Sequence, residues 1–160
     1  MKNPISSISF LHLFSLKTPI HQRTVTFPFA LEMLKGVKQV IASAGLLVLI
    51  DSIYLFLIKD YFLGQIQRVQ GAKSPATFRI YSAILCYIFL VAGLNYFILQ
   101  RKGATIGEAF LLGIVIYGVY ETTNYALFDK WSFLTVLMDT LWGGCLFALT
   151  TWVIKKLFLG

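Results

Sequence analysis

Three carboxylic acids lie inside long apolar runs of this sequence. Asp51, Glu121 and Asp139 each interrupt a stretch that otherwise has the composition of a lipid-embedded helix. A carboxylate at the centre of an inserted helix costs roughly 2.5–3.5 kcal/mol on translocon scales, and less toward the helix ends. An acid kept at such a position needs a partner, and the chemistry it offers there is proton transfer or cation binding. The sequence therefore predicts an acidic site inside a membrane protein.

The composition indicates which elements carry these acids. The chain has 160 residues, of which 58% are hydrophobic and 13% charged, whereas soluble domains are about 25% charged. Continuous apolar runs exclude a β-barrel, whose strands alternate in polarity. A helix crosses the hydrocarbon core with about 20 residues, and four runs are long enough, which predicts an all-α integral membrane four-helix bundle with spans 39–58, 80–99, 104–127 and 131–154.

The connections between the spans indicate how they are arranged. Short connections at 100–103 and 128–130 make spans two to four a pair of antiparallel hairpins. The longer connection after span one places apolar residues near helical spacing, which predicts a short interfacial helix. Those apolar residues are Tyr61, Phe62, Ile66 and Val69.

The N-terminal region differs from the rest of the chain. Residues 1–36 are predicted to be a disordered or targeting extension, followed by the four-helix domain at 37–157. Residues 1–31 contain no Asp or Glu and resemble the acid-poor composition of transit peptides. Met33, directly before span one, is an alternative start. With four spans, both termini share one side, and that side holds the larger share of the 14 Lys and Arg. The positive-inside rule then places the termini in the cytoplasm or its equivalent.

The spacing of the acids puts them at one depth in the membrane. Asp51 lies seven residues before the end of span one, Glu121 six before the end of span three, and Asp139 eight after the start of span four. At 1.5 Å per residue, each acid is about 9–12 Å from its helix end. Antiparallel connectivity brings these three ends to the same membrane face. Acids from three helices are therefore expected in a single layer.

Helical spacing extends this layer into a polar cluster. Its centre is predicted to be Asp51, Glu121, Asn124 and Asp139. Residues on the same helix faces, three or four positions apart, are expected to support it: Tyr117, Tyr125, Thr135 and Trp142. The neighbouring Thr123 is also predicted to support the cluster. Because no Lys, Arg or His lies in the layer, three bare carboxylates together are disfavoured. Either an acid is protonated, or a cation lies among the acids, or water reaches them.

A secondary polar pair lies toward the other end of the bundle. Asn95 and Glu108 flank the basic turn between spans two and three. One interpretation is an interfacial Glu108 paired with Arg101 or Lys102. The other is a second gate of a pathway through the bundle.

Several chemistries are disfavoured by the sequence. Both histidines precede residue 22, so the bundle has no His for haem ligation or a Ser–His relay. Cys86 and Cys145 lack metal-ligand spacing, and neither a cofactor nor a metal is predicted. The net charge of +7 suits anionic lipid headgroups better than nucleic acid. The expected partners are the lipid bilayer and a second copy of the chain in a homo-oligomer, since four spans make a thin wall around any pathway.

Three segments carry a family resemblance. They are LIDSIYL around Asp51, YETTNYALFDKW around Glu121, and MDTLWGG around Asp139. In this order and separation they resemble the domain of unknown function 2177 (DUF2177), small membrane proteins of four spans, over about residues 38–156. Family members commonly carry Asp where this chain has Glu121. The resemblance implies the four-span architecture and adds no activity.

Three functional hypotheses fit these observations. The first is a non-enzymatic membrane protein acting as a small proton- or cation-linked carrier. The second is a membrane-embedded enzyme that acts on a lipid or quinone with a carboxyl as general acid. The third is a purely structural polar clasp that holds the helices in register.

Overall fold

Four long helices account for most of the residues that the structure describes. The computed structural model describes residues 26–71 and 79–158, with side chains from residue 33 onward. The helices are α1 (Thr26–Gln70), α2 (Ile80–Leu94), α3 (Ile106–Leu127) and α4 (Phe133–Phe158), and a π-helical turn, Asn95–Leu99, extends α2. Each is long and apolar enough to cross a membrane. The prediction of an all-α membrane bundle is confirmed.

Helix α1 differs from its predicted form at both ends. It is one continuous helix of 45 residues, about 68 Å long at 1.5 Å per residue, which exceeds the hydrocarbon thickness of about 30 Å. At its start, residues 26–36 of the predicted extension are already helical, while residues 1–25 lie outside the described residues. At its end, residues 59–70 continue the helix, so the separate interfacial helix predicted after span one is not observed.

The continuation of α1 is held by contacts with the start of α4. The Gln65 side chain is buried and donates a hydrogen bond to the Lys130 carbonyl at 2.7 Å. The Phe62 ring meets the Trp131 ring edge-on, with centroids 6.2 Å apart. Tyr61 and Phe62 therefore contact the start of α4, whereas Leu63 is exposed. The sequence predicts a helix over these residues, and in the structure this helix is part of α1 and packs against α4.

Helices α3 and α4 form the closest pair in the bundle. A Cβ added to Gly113 would lie 2.1 Å from the Gly143 carbonyl oxygen, so the two backbones are in direct contact at this point. A Cβ on Gly143 would lie 2.3 Å from the Tyr117 ring. Small residues allow such approach in lipid, where van der Waals packing drives helix association. This contact fixes the level of α3 relative to α4.

Helix α1 packs antiparallel to both α2 and α4, and hydrogen bonds define its register against each. Against α2, Asn95 donates to Ser43 at 2.8 Å, and Tyr87 donates to Asp51 at 2.7 Å. The steps between these pairs are equal on both helices, at eight residues. Against α4, Trp142 donates to Asp51 and Tyr54 donates to Asp139, with steps of three residues on both helices. Residues of α1, α2 and α4 at one level of the bundle can therefore be matched directly.

Candidate functional site

The three acids of the predicted layer are buried side by side in the structure. Asp51, Glu121 and Asp139 are 6%, 0% and 8% exposed, and they come from α1, α3 and α4. The constant register of α1 against α4 places the first and last at neighbouring levels. The helix positions that were matched by spacing alone are thus neighbours in space.

Asp51 accepts two hydrogen bonds from aromatic side chains. Its Oδ1 accepts from the indole N–H of Trp142 at 2.8 Å, and its Oδ2 accepts from the hydroxyl of Tyr87 at 2.7 Å. Both oxygens are therefore occupied by neutral donors from α4 and α2. A carboxylate that accepts one donor on each oxygen is well suited to the ionised form, since an ionised carboxyl is acceptor-only.

Asp139 accepts a hydrogen bond from Tyr54, which lies one helical turn after Asp51 on α1. The Tyr54 hydroxyl donates to its Oδ1 at 2.5 Å. The Tyr54 ring in turn stacks on the Trp142 ring, with centroids 4.2 Å apart and an interplanar angle of 10°. Each ring of this stack donates to an acid on the other ring's helix. The stack therefore ties α1 and α4 together at the level of the acids.

Glu121 lies near a second acid. Its Oε2 accepts from the Trp131 indole N–H at 2.8 Å, and its carboxyl group lies close enough to the Asp139 carboxyl group for the two to interact electrostatically. Two carboxyl groups form a hydrogen bond only when one carries a proton. Asp139 accepts from Tyr54, and the buried Glu121 Oε1 has no hydrogen-bond partner among the described residues.

The carboxyl groups of the layer are balanced by neutral donors. In the described part of the chain, their hydrogen bonds come from tyrosine and tryptophan side chains. The ion pair seen there joins Arg101 and Glu108 at the far end of the bundle. Nor do three or more His, Cys, Asp or Glu side chains within the described residues converge as a metal ligand set would. A shared proton fits this geometry directly.

The remaining residues of the predicted cluster are divided by the structure. Thr135 is buried and shares a hydrogen bond with Tyr61 at 3.0 Å, one turn below Asp139. Asn124 is half-buried, and its Nδ2 has no partner among the described residues. It makes no hydrogen bond to the acids. Tyr117 is half-buried and packs on Gly143 rather than donating to an acid.

Two predicted supporting residues face away from the acids. The exposed Thr123 donates to the Val119 carbonyl of its own helix at 2.7 Å. The exposed Tyr125 ring packs against the Phe133 ring, with centroids 5.8 Å apart. Their helical spacing from Glu121 places them beside it in the sequence pattern, yet the rotation of α3 turns them outward.

Three aromatic donors escaped the sequence pattern. Tyr54, Tyr87 and Trp131 contact the three acids directly, one acid each. Buried Tyr and Trp usually give their single polar group a hydrogen-bond partner. Tyr54 lies three residues after Asp51, which is a readable signal, whereas Tyr87 lies in a span without any charge.

The secondary pair is separated in the structure. Asn95 is 4% exposed and donates from Nδ2 to Ser43 and to the Val91 carbonyl. Glu108 forms a capping box with Thr105 at the start of α3 and pairs with Arg101. The interfacial interpretation of Glu108 therefore describes its contacts, and no hydrogen bond joins it to Asn95.

A groove opens beside this turn. It has a volume of about 690 Å³ and lies between the π-helical turn and α3, with Arg101 and Glu108 at its rim and apolar walls. It is at the opposite end of the bundle from the acid layer, since the acids lie toward the 128–130 connection. The groove does not give access to the acids.

Comparison with known proteins adds a family. A family model described as "Predicted membrane protein (DUF2177)" matches residues 36–155, which is most of the chain. No curated protein and no solved structure shows significant similarity to this chain.

Proposed function

The chain belongs to the DUF2177 family of predicted membrane proteins, and we propose that within the membrane it acts as a small proton-linked carrier. The observation that carries this proposal is the burial of Glu121 and Asp139 near one another, with Trp131 and Tyr54 as their hydrogen-bond donors. A carboxyl pair that shares one proton, without a basic residue bonded to it, is a group that can gain and lose a proton inside the bilayer.

The proposed roles of the three acids differ. Glu121 carries the exchangeable proton, because its Oε1 has no other hydrogen-bond partner among the described residues. Asp139 accepts that proton's hydrogen bond and is held by Tyr54. Asp51 is held in place by hydrogen bonds to both of its oxygens, from Trp142 and Tyr87. Loss of the proton from Glu121 would leave two carboxylates in contact, and this repulsion provides a force for a conformational change.

Two further features belong to the same proposal. The termini face the cytoplasm or its equivalent, since the basic residues concentrate on their side of the membrane. The working unit is a homo-oligomer of at least two chains. Large apolar side chains line the outer surface of α2, among them Ile84, Ile88 and Phe89, and are available for lipid or a second copy.

Proton flux in proteoliposomes tests the proposal. The native chain is expected to carry protons above an empty-vesicle blank when a pH gradient is imposed. Glu121→Gln, which cannot release a proton, and Asp139→Asn are expected to abolish flux, and Asp51→Asn to reduce it. Asp60→Asn is the matched control, because Asp60 is an exposed acid on α1. Equal flux in the native chain and all four variants, or no flux above the blank, would reject the carrier.

A purely structural clasp is the second candidate, favoured by the stack of Tyr54 on Trp142. This stack joins α1 and α4, and its Trp142 donates one of the two hydrogen bonds that Asp51 accepts. A clasp predicts that Glu121→Gln leaves every measured property unchanged, including flux. The carrier predicts that this variant folds normally and loses flux, so one variant separates the two.

The membrane-enzyme alternative requires a lateral opening at the acid layer. A general acid must come within hydrogen-bond reach of its substrate, and a lipid or quinone would have to enter between helices. The groove of the described part lies at the other end of the bundle, beside Arg101 and Glu108. This placement favours the carrier over the enzyme.

A further inference from the structure

A second polar layer lies inside the bundle, two helical turns away from the acids. On α1, Ser43, Leu47 and Asp51 follow one another at intervals of four residues and are all buried. Residues four apart lie on the same face of a helix. Ser43 is therefore about 12 Å from Asp51 along the same buried face. The second layer is joined to α2 by the hydrogen bond from Asn95 to Ser43.

Helix α4 repeats this order of polar, apolar and polar residues. Trp142, Leu146 and Thr150 also follow at intervals of four, and the last two are 0% exposed. Trp142 bonds to Asp51 and Tyr54 bonds to Asp139, which defines the register of the antiparallel helices α1 and α4 at the acid layer. Eight residues further along each helix, Thr150 lies at the level of Ser43. The second layer thus contains Ser43, Asn95 and Thr150.

Two buried oxygens of this layer have no partner among the described residues. Asn95 Oδ1 and Thr150 Oγ1 are both fully buried and unbonded. The orientation of the Asn95 amide is well determined, because its Nδ2 donates to the Val91 carbonyl, which can only accept. Its Oδ1 therefore needs a donor from elsewhere. A buried polar atom without a partner costs roughly 1–3 kcal/mol, and ordered water is the usual means of satisfying such groups.

Asn95 also begins the π-helical turn of α2. The Gln100 N–H bonds to the Asn95 carbonyl, five residues back, at 2.9 Å. Turns of this kind inside α-helices occur frequently at functional sites. Here the turn lies where α2 passes α4, beside the unbonded amide oxygen. The irregular backbone and the unpartnered oxygens coincide at one place.

We propose that this second layer holds bound water, bridging Asn95 Oδ1 and Thr150 Oγ1, and that it relays protons between the basic face of the bundle and the acid layer. The presence of bound water does not depend on the proposed carrier function, whereas the role of this water as a proton relay rests on it. The water donates to Asn95 Oδ1, which is only an acceptor, and exchanges a hydrogen bond with the Thr150 hydroxyl, which can donate and accept.

An apolar belt separates the bound water from the acids. Leu47 and Leu146 lie at one level between the two layers, and both are 0% exposed. Leu94 and Phe147 are also 0% exposed near this level. In this conformation the belt interrupts any chain of water between the two layers, so a proton passes from the bound water to the acids only when the helices at the belt move apart. A coupled carrier needs such a barrier, because an open water chain would leak protons.

Nuclear magnetic resonance on the full chain in detergent tests the water site. The sequence has three asparagines, Asn3, Asn95 and Asn124, so selective ¹⁵N-asparagine labelling gives an assignable spectrum. The native chain is expected to show magnetisation transfer from long-lived water to the Asn95 side-chain amide. Thr150→Val, which keeps the shape and removes the hydroxyl, is expected to lose it. Absence of this signal in the native chain would overturn the water site.

Thermal unfolding is a second test, because a site that holds water and a site without water predict different shifts of the unfolding midpoint in Thr150→Val. If water bridges the two residues, Thr150→Val leaves Asn95 Oδ1 without a donor and lowers the unfolding midpoint by about 2–12 °C. If the site is dry, the same variant removes an unsatisfied hydroxyl and leaves the midpoint unchanged or raises it, which overturns the proposal. Thr122→Val is the matched control. Its hydroxyl is exposed and bonds to the Gly118 carbonyl of its own helix, so little change is expected.

Proton flux separates the relay from the water site and from the carrier. Thr150→Val is expected to reduce flux at least several-fold while Thr122→Val does not. Loss of the water signal with unchanged flux would overturn the relay. If the native chain carries no protons at all, the proposed carrier fails, and the relay with it. The resonance and unfolding measurements then still decide whether the water site exists.

Discussion

Replacement of Glu121 by glutamine and by leucine tests the protonation of the acid pair. A glutamine amide has one oxygen and one nitrogen donor, as a protonated carboxyl has one carbonyl oxygen and one O–H. Its oxygen would accept from the Trp131 indole, which is only a donor, and its nitrogen would donate to Asp139. The hydrogen-bond pattern of the native pair is reproduced. We therefore expect Glu121→Gln to change the free energy of unfolding by less than about 0.5 kcal/mol.

Leucine at the same position removes both hydrogen bonds and keeps a side chain of similar size. The buried Trp131 N–H loses its acceptor, at about 1–3 kcal/mol. Asp139 loses a hydrogen bond to a charged group, at about 1.5–3 kcal/mol. The sum of these two effects is about 2.5–6 kcal/mol. For a chain of this length, about 2–4 °C per kcal/mol predicts a midpoint at least about 5 °C lower.

Reversible unfolding in detergent micelles, followed by far-UV circular dichroism, measures both variants against the native chain. The result that refutes the reasoning is specific. If Glu121 were ionised beside an ionised Asp139, glutamine would remove a repulsion between like charges and stabilise the protein. A gain above about 1 kcal/mol in Glu121→Gln, or a loss as large as that of Glu121→Leu, would show that Glu121 does not carry the proton.

Two further predictions concern helix packing and the aromatic stack, both measured by the same unfolding assay. Gly113→Ala places a methyl group 2.1 Å from the carbonyl oxygen of the facing helix and is expected to lower the free energy of unfolding by about 3 kcal/mol or more. The control is Gly45→Ala, which has open space around it and is expected to raise the free energy of unfolding by up to about 1 kcal/mol. Equal effects of the two variants would contradict the close approach of α3 and α4. Trp142→Phe keeps an aromatic ring and removes the N–H that binds Asp51, so a loss of about 1.5–3 kcal/mol is expected. Trp152→Phe, at a ring that is 46% exposed, is its control and is expected to stay within about 0.5 kcal/mol; a loss as large in the control would refute the role of the indole N–H.

The spans and the family could be read from the sequence. Length and hydropathy of a membrane helix are local properties, because the bilayer sets the number of apolar residues that a helix needs. The predicted spans 80–99 and 104–127 accordingly lie within two residues of the observed helix bounds. The resemblance to DUF2177 is confirmed by the family match at residues 36–155.

The separate interfacial helix that was predicted after span one is not confirmed by the structure. Residues 61–69 have the spacing of an amphipathic helix, and the sequence was interpreted as a separate element at the interface. The structure continues α1 to Gln70 and gives the polar side chain of Gln65 a partner on α4. Helical spacing identifies a helix, but it does not say whether the apolar face meets lipid or another helix.

The level of the three acids followed from the sequence, since the rise per residue and antiparallel connectivity are enough to calculate it. Their partners did not. Whether Glu121 meets Asp139 or Asp51 depends on how α3 is rotated about its axis, and that rotation is set by the contact of Gly113 with Gly143 on another helix. The packing of the helices likewise decides that Tyr54 and Tyr87 are the tyrosines that donate to the acids. The depth of each residue is therefore a property of its own helix, whereas the identity of its neighbour is decided only when all four helices pack together.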